Sequence, residues 1–139
     1  YADVLLNLAE ALNEQGKIDE AVTVVNQVRA RAGAQLLNSN VPTTVMGQAD
    51  MRERIRNERY WELLGEDLIY FDELRWKTWK DKKFATYDDN GKQVVNGLRQ
   101  VWGQATYHYA WGGDHYWLYP IPYNETQMNP NMEQNPSWK

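Results

Sequence analysis

The side chains of this sequence that are best suited to chemistry are aromatic and lie in residues 101–119. The chain has seven Trp and nine Tyr but only two Phe. Tryptophan and tyrosine join an apolar ring to a polar group, so an excess of them over phenylalanine indicates half-exposed surfaces that bind ligands. A sugar ring presents a C–H face that can cover an aromatic ring, while its hydroxyl groups need a few planar polar partners. The candidate ring platforms are Trp102, Tyr109, Trp111 and Trp117, and the candidate hydrogen-bond partners are Asn96, Gln104 and Asp114.

Packing is the alternative interpretation of each of these rings. Glycines at 103, 112 and 113 separate them, which is typical of a shaped loop rather than a long regular element. An irregular segment of this kind could use the same rings to build its own small core. Trp61 and Trp76 lie on a predicted helical scaffold, where packing is the favoured interpretation.

Three carboxylates, Glu62, Glu66 and Asp72, are the candidates for acid–base chemistry. Glycoside hydrolysis would need two carboxyl groups about 5–9.5 Å apart across a cleft. These three belong to a helical stretch in which basic neighbours can pair with them. The sequence also has no nucleophile-and-base constellation and no phosphate-binding loop. We therefore predict that the protein is not an enzyme and has no catalytic residues.

Metal and cofactor sites are not expected either. The chain has no cysteine, which excludes disulfides and thiolate metal sites. Its two histidines, His108 and His115, are isolated in an aromatic segment and cannot form a histidine-based site alone. Residues 88–90 could begin a calcium loop, but the glutamate that closes an EF-hand loop is missing.

Length and composition describe an ordinary folded domain. The 139 residues are 42% hydrophobic and 24% charged, and suffice for one core. A net charge of −4 argues against nucleic-acid binding, and no apolar run approaches the roughly 20 residues of a membrane span. The chain opens at Tyr1 in a helical pattern without a signal peptide, so we expect a preceding segment to be missing.

Two antiparallel helices are predicted at the start of the chain. Apolar residues recur at helical spacing in residues 3–15 and again in 18–32, with Gly16 and Lys17 as a short turn between them. Gly33 follows the second helical pattern, at the position where a helix commonly ends in a residue with left-handed backbone conformation. Small residues at Ala9, Gly16 and Ala21 match the close-approach positions of one tetratricopeptide repeat. Because one repeat needs a neighbour, residues 47–76 are predicted to form a second helix pair after a loop at 34–46.

The stretch from Ile55 to Trp76 is predicted to be scaffold. Its apolar face would consist of Ile55, Trp61, Leu64, Leu68, Phe71 and Leu74. The pairs expected along one helix face are Arg54–Glu58, Arg59–Glu62 and Asp72–Arg75.

The chain changes character after Trp76. A basic run of Lys77, Lys80, Lys82 and Lys83 is predicted to be a solvated helix end, and residues 86–95 a hairpin that turns at Asn90-Gly91. The last twenty residues, rich in proline and asparagine, are predicted to be extended. The expected fold is therefore mainly α: tetratricopeptide-like helices in 1–76, then an irregular, loop-rich segment in 77–139 with at most a small hairpin.

Three pieces of the sequence together resemble the RagB/SusD family. The first is the helix pair LLNLAEALNEQGKIDEAVTVVNQVRARAG, with Asn26, Arg29, Arg31 and Gly33 at its end. The second is Ile55, Glu58, Arg59, Glu62, Leu63, Glu66, Asp72, Arg75 and Trp76. The third is the tail, with Tyr119-Pro120-Ile121-Pro122, Glu125, Asn129-Pro130 and Gln134-Asn135-Pro136.

This resemblance implies a non-enzymatic, lipid-anchored protein that faces outward on the bacterial outer membrane. It would bind an oligosaccharide, or in some members a peptide, and pass it to a SusC-like TonB-dependent transporter. The chain would be the C-terminal segment of a larger domain, and the lipid anchor and secretion signal would lie outside it. The helices would form the platform and the aromatic loops the ligand surface.

A tetratricopeptide-type protein-interaction module is the alternative function. It would bind a peptide or a helix in the concave face between helix pairs. Modules that clamp peptides usually carry Lys and Arg on the inner helix, whereas residues 3–15 offer only Asn7 and Asn13. The sequence therefore favours nutrient binding.

Overall fold

The computed structural model of the chain describes residues 1–84, 86–87, 93–95, 99–102, 105–108 and 111–138. They fall into two compact units, an N-terminal unit (Tyr1–Phe71) and a C-terminal unit (Asp72–Lys139). The mainly α class predicted from the sequence is confirmed.

The predicted helix pair is present at the start of the N-terminal unit. Helix α1 spans Ala2–Glu14 and helix α2 spans Ile18–Arg31. Gly33 has a φ of +67°, and the Ala34 N–H donates to the Arg29 carbonyl at 2.9 Å, so the helix ends in the left-handed cap that the sequence predicts. The loop that follows contains only one short 3-10 turn, Val41–Thr43.

The second predicted pair consists of α3 (Gln48–Glu62) and α4 (Leu68–Arg75). Helices α1, α2 and α3 share one apolar core, which is formed by Leu6, Ala9, Ala21, Val25, Val28, Met51 and Ile55. Ala9 and Ala21 are fully buried, as expected at close-approach positions. Burying each large apolar side chain stabilises the fold by roughly 1.5–3 kcal/mol.

The predicted apolar face of residues 55–76 is wrong at three of its six residues, whereas Leu68 and Leu74 are half-buried. Ile55 is buried, but the side chains of Trp61, Leu64 and Phe71 are 65%, 70% and 60% exposed. Helix α3 ends at Glu62, and Gly65 and Asp67 then adopt positive φ angles of 84° and 58°. For Leu64 and Phe71, this break shifts the helical phase, so that a periodicity continued across it points to the wrong side. Trp61 lies before the break, within α3, and six residues after Ile55, which places it on a different face of that helix.

The C-terminal unit adds a short helix α5 (Trp79–Lys83) and two antiparallel strand pairs. Strands β1 (Thr86–Tyr87) and β2 (Gln93–Val95) form the predicted hairpin, whose turn lies outside the described residues. Strands β3 (Arg99–Trp102) and β4 (Ala105–His108) form a second pair where the sequence predicted a shaped loop. The sequence predicted at most one small hairpin, whereas the described residues contain two strand pairs. The second pair forms because the β-branched and aromatic residues of 99–108 suit paired strands.

The tail is irregular apart from one short helix, α6 (Tyr123–Met128), which the sequence did not predict. A 3-10 turn, Asp114–Trp117, precedes it. Side-chain N–H groups hold the end of the tail against the preceding segment: Asn135 Nδ2 donates to the Tyr119 carbonyl at 2.6 Å, and Trp138 Nε1 donates to the Leu118 carbonyl at 2.7 Å. In the described part of the chain, no helix has the length and apolar character needed to cross a membrane.

Candidate functional site

The candidate ligand surface begins where α4 ends. The Lys77 N–H donates to the Leu74 carbonyl at 3.1 Å and the Thr78 N–H to the Glu73 carbonyl at 2.9 Å, which is the hydrogen-bond pattern of a Schellman cap. Lys77 occupies the left-handed position of this cap, with a φ of +58°. The chain then turns directly into α5, so Lys77 and Lys80 are brought to the same region.

An aromatic cluster lies next to these lysines. Its members are Trp79, Phe84, Trp111, Tyr116 and Trp117. The Trp111 ring centroid lies 5.9 Å from that of Trp79, 5.2 Å from Phe84, 5.3 Å from Tyr116 and 4.8 Å from Trp117. Most of these rings meet edge to face, the arrangement that the ring quadrupoles favour. Trp111 is therefore the centre of the aromatic cluster, whereas Trp117 lies at its side.

The indole nitrogen of Trp111 is a second feature of this region. Trp111 Nε1 is inaccessible to solvent and has no hydrogen-bond partner in the structure. A buried donor without a partner costs about 1–3 kcal/mol. The many ring contacts of Trp111 offset this cost, so its geometry is typical of a packing ring.

Two ammonium groups lie over rings of the aromatic cluster. Lys77 Nζ is 4.6 Å from the Trp117 ring centroid and Lys80 Nζ is 5.5 Å from that of Trp111, both within cation–π range. Across the described ranges, neither lysine forms an ion pair with a carboxylate. Among the described residues, the aromatic cluster therefore combines ring surfaces with positive charge that no carboxylate pairs.

The structure places some of the residues predicted from the sequence and leaves others outside its description. Trp111 and Trp117 are in contact, and Asp114 is exposed at the start of the 3-10 turn that carries Trp117. Trp102 belongs to strand β3, but its side chain lies outside the described part. Asn96, Gln104 and Tyr109 also lie outside it.

Sequence reasoning missed several members of this region. It did not connect Trp79, Phe84 and Tyr116 to the predicted platforms, and it treated the lysines only as a solvated helix end. The alternation of lysine and tryptophan in residues 77–80 was the available signal. His115, interpreted from the sequence as an isolated residue, packs 4.3 Å from Tyr116 and 4.9 Å from Trp138, ring centroid to ring centroid.

Of the three carboxylates considered for acid–base chemistry, Glu62 and Asp72 form ion pairs. Glu58 and Glu62 of α3 form ion pairs with Arg29 and Arg31 of α2, and these replace the predicted partners within α3. Arg54 binds Asp50 instead, with Nε 2.9 Å from Oδ2.

Arg59 provides the third contact between helices. It donates to Asp3 Oδ1 at 2.8 Å and to Asn7 Oδ1 at 2.9 Å, both on α1. The predicted pairs Arg54–Glu58 and Arg59–Glu62 are therefore wrong. Glu58, Glu62 and Arg59 take partners on other helices, whereas Arg54 pairs with a different neighbour on its own helix. Only Asp72–Arg75 is confirmed, with Arg75 Nε 2.9 Å from Asp72 Oδ1.

Glu58 has a shifted pKa. Burial raises the pKa of this carboxyl group above its ordinary value of 4.5, and Arg29 reverses only part of that effect.

Residues described by the structure contain no group of three or more His, Cys, Asp or Glu side chains placed to hold a metal ion.

The N-terminal unit also contains two cavities of ligand size. One of about 520 Å³ is lined by Tyr1, Ala2, Asp3, Leu5, Gln27, Val28, Arg31, Glu62, Leu63 and Glu66. The other, of about 360 Å³, is lined by Arg29, Leu37, Pro42, Thr43, Asp50, Glu53, Arg54, Asn57 and Trp61. Both volumes lie in the range of small-molecule sites, and the second has an exposed indole beside polar groups.

Comparisons with known proteins agree on one family. A sequence model described as the SusD family matches residues 1–138. SusD-like protein P38 of Formosa agariphila is 40% identical over 78 residues, which are 54% of this chain and 16% of that protein. SusD-like protein P25 of the same organism is 33% identical over 134 residues, 93% of this chain and 21% of that protein.

Solved structures give the same result. A SusD-like protein of Bacteroides fragilis, BF3747, aligns with a TM-score of 0.73 and 27% identity over 99% of this chain and 25% of that chain. BT4246, in its selenomethionine form, aligns with a TM-score of 0.71 and 28% identity over 99% of this chain and 24% of that chain. The chain therefore spans about a quarter or less of the length of each of these relatives.

Proposed function

Because this chain belongs to the SusD family, we propose that it is the C-terminal segment of a nutrient-binding protein on the outer surface of a bacterial outer membrane. The observation that carries this proposal is the family match over residues 1–138. The nutrient proposed is an oligosaccharide, and the protein is proposed to bind it without chemical change. A SusC-like TonB-dependent transporter would receive the nutrient, and a lipid anchor outside this segment would hold the protein at the membrane.

The aromatic cluster supports sugar binding as the specific activity. Trp117 is only partly buried, so part of its ring can contact the C–H face of a sugar. Asp114, three residues earlier, is exposed and can accept hydrogen bonds from sugar hydroxyl groups. The proposed ligand residues remain those expected from the sequence: Trp102, Tyr109, Trp111, Trp117, Asn96, Gln104 and Asp114.

A binding screen on the full-length protein tests this function. Calorimetry against a panel of oligosaccharides and peptides is expected to find one oligosaccharide class that binds. Trp117→Ala and Trp102→Ala are then expected to weaken binding, because each removes a ring platform. Tyr123→Ala is the matched control, since it removes a ring that is 73% exposed on α6 and lies outside the proposed site.

The same screen separates the alternatives. Loss of binding in Trp61→Ala, with no change in Trp117→Ala, would move the site to the 360 Å³ cavity of the N-terminal unit. Binding of peptides in place of sugars would keep the transport role and reject the oligosaccharide. Unchanged affinity in folded Trp117→Ala and Trp102→Ala proteins would reject the aromatic cluster as the ligand surface.

A protein-interaction module is the second candidate, and one observation favours it. Tyr1, Val4 and Leu8 lie at three- and four-residue spacing along α1 and its start, and are 91%, 63% and 47% exposed. An apolar helix face of this kind suits a partner helix. Co-purification with a SusC-like transporter, compared with unrelated peptides, tests it. If Val4→Glu/Leu8→Glu abolishes capture of the transporter while sugar binding stays unchanged, α1 is the contact surface.

A further inference from the structure

Lys77 occupies a backbone position that favours a different residue. Its φ of +58° is the left-handed conformation that a Schellman cap requires, and glycine is the usual residue there because it has no side chain to clash. Gly33 fills the equivalent position after α2, with a φ of +67°. A lysine in such a position carries a backbone cost, which motivates the search for a role of its side chain.

The side chain of Lys77 has a defined location. Its ammonium group lies over the Trp117 ring, and the Lys80 ammonium lies over the neighbouring Trp111 ring, at 4.6 and 5.5 Å from the centroids. A ring contact leaves ammonium N–H donors available, because each group carries three of them. Asp81, the acidic residue nearest to Lys80 in the sequence, and Asp114, at the start of the turn that carries Trp117, form no ion pair with either lysine in the described part of the chain. The positive charge is therefore available to a ligand.

The surrounding sequence adds to this charge. Residues 77–84 contain four lysines and one aspartate, in a chain whose net charge is −4. A local excess of positive charge beside exposed ring surface suits a sugar that bears carboxylate or sulfate groups. Such a ligand can place its C–H face on an indole while its anionic group binds an ammonium.

We infer that Lys77 and Lys80 make the aromatic cluster selective for anionic saccharides over neutral ones. This inference rests on the proposed function, since it names the class of sugar that the same surface binds. Packing of a lysine stem on a ring explains the ring contacts. It does not explain a lysine in the position of a glycine, or two ammonium groups that have no carboxylate partner among the residues that the structure describes.

Matched pairs of probes test the inference in the full-length protein. The first pair is trigalacturonate and its methyl ester, which differ in carboxylate charge and in the ester methyl groups. The second pair is a dextran sulfate oligosaccharide and the corresponding dextran oligosaccharide, which differ in sulfate. In calorimetry the anionic member of at least one pair is expected to bind more tightly than its neutral partner, and to weaken as salt is raised.

Substitutions assign the effect to the two lysines. Lys77→Gln and Lys80→Gln are each expected to weaken binding of the anionic probe about tenfold, as for the loss of one charge-assisted hydrogen bond. Lys77→Arg is expected to retain binding, because arginine keeps the charge and can also lie over an indole. Lys17→Gln, in the turn between α1 and α2, removes an exposed lysine of the other unit and is the matched control.

The outcomes separate this inference from the proposed function. Tighter binding of neutral probes, or Gln variants that bind the anionic probe as well as the wild-type protein, would overturn the selectivity and leave sugar binding intact. No binding by any saccharide of the panel would overturn both. Binding to phosphatidylglycerol vesicles without binding to either anionic saccharide would also overturn it, because the charge would then serve contact with a lipid surface.

Discussion

The side chain of Gln134 pairs with both backbone polar groups of Ile121. Gln134 Oε1 accepts from the Ile121 N–H at 2.7 Å, and Gln134 Nε2 donates to the Ile121 carbonyl at 2.8 Å. One amide side chain thus forms with Ile121 the two backbone hydrogen bonds that a neighbouring strand would form. Because Ile121 lies between two prolines, which have no N–H, its own N–H is the only donor that residues 120–122 can offer.

Gln134→Ala is therefore expected to release the tail. Loss of the two hydrogen bonds should lower the free energy of opening at residues 118–121 by about 1–2 kcal/mol. Amide hydrogen exchange at Ile121 measures this opening. Gln127→Ala, on the exposed side of α6, should leave the exchange rate unchanged. An unchanged rate in Gln134→Ala would contradict the prediction.

Arg59→Ala is expected to destabilise the N-terminal unit. The Arg59 side chain is only 3% exposed and holds α3 against α1 through Asp3 and Asn7. We expect the free energy of unfolding to fall by about 2–3 kcal/mol, because two hydrogen bonds to a charged group are lost, while Asp3 can regain water. Arg52→Ala is the matched control, since Arg52 forms an exposed pair with Glu14 and should matter much less. If urea unfolding showed equal losses of unfolding free energy in Arg59→Ala and Arg52→Ala, the role of burial would be contradicted.

Glu58 is expected to make stability fall as pH rises. Burial raises the pKa of Glu58, so the folded protein holds this proton more tightly than the unfolded chain does. The free energy of unfolding should therefore decline from the ordinary pKa of 4.5 up to the raised pKa of the folded state. Glu58→Gln should remove this part of the decline while keeping an acceptor for Arg29. Urea unfolding at a series of pH values between about 4 and 8 measures the slope.

Asp50 provides the opposite control for Glu58. Hydrogen bonds from the Met46 N–H and from Arg54 lower the pKa of Asp50 below its ordinary value of 3.8. Its contribution is therefore present above that ordinary value and is lost as pH falls through the lowered pKa. Asp50→Asn should lower the free energy of unfolding at neutral pH. It should also reduce the further decrease in that free energy as the pH falls. If Asp50→Asn and Glu58→Gln changed the pH dependence of the free energy of unfolding in the same direction, both assignments would be contradicted.

Trp111→Ala is expected to disrupt the C-terminal unit more than it affects ligand binding directly. Trp111 contacts four other rings, so its truncation leaves a cavity within the aromatic cluster, and we expect a loss of about 2–4 kcal/mol in unfolding free energy. Near-ultraviolet circular dichroism should weaken as the rings lose their fixed arrangement. Trp111→Phe should retain most of the stability. A folded, equally stable Trp111→Ala protein would show that this ring does not centre the cluster.

Several features could be predicted from the sequence because local geometry determines them. The helices α1 and α2 follow from apolar residues at helical spacing, and the cap at Gly33 follows from the need for a positive φ. The hairpin at β1 and β2 follows from the Asn90-Gly91 turn signal between short strand-forming runs. Each of these depends on residues within a few positions of one another.

The ion pairs could not be predicted in the same way. Spacing along α3 offered Glu58 a partner four residues earlier, yet it binds Arg29 on another helix. Helix packing brings residues together that are far apart in sequence, and a buried charge takes the partner that packing supplies. The exposed Leu64 and Phe71 have a related cause, since the break after Glu62 changes the side of the molecule to which later residues belong.

The sequence by itself therefore determined the helix pairs, the family and the aromatic character of residues 101–119. The tertiary structure alone decided that Trp111 and Trp117 meet, and that Lys77 and Lys80 lie over them. The physical reason is that periodicity and caps depend on the nearest few residues, whereas residues 77–80 and 111–117 are separated by more than thirty positions. Their contact depends on how the C-terminal unit packs, and no local pattern encodes it.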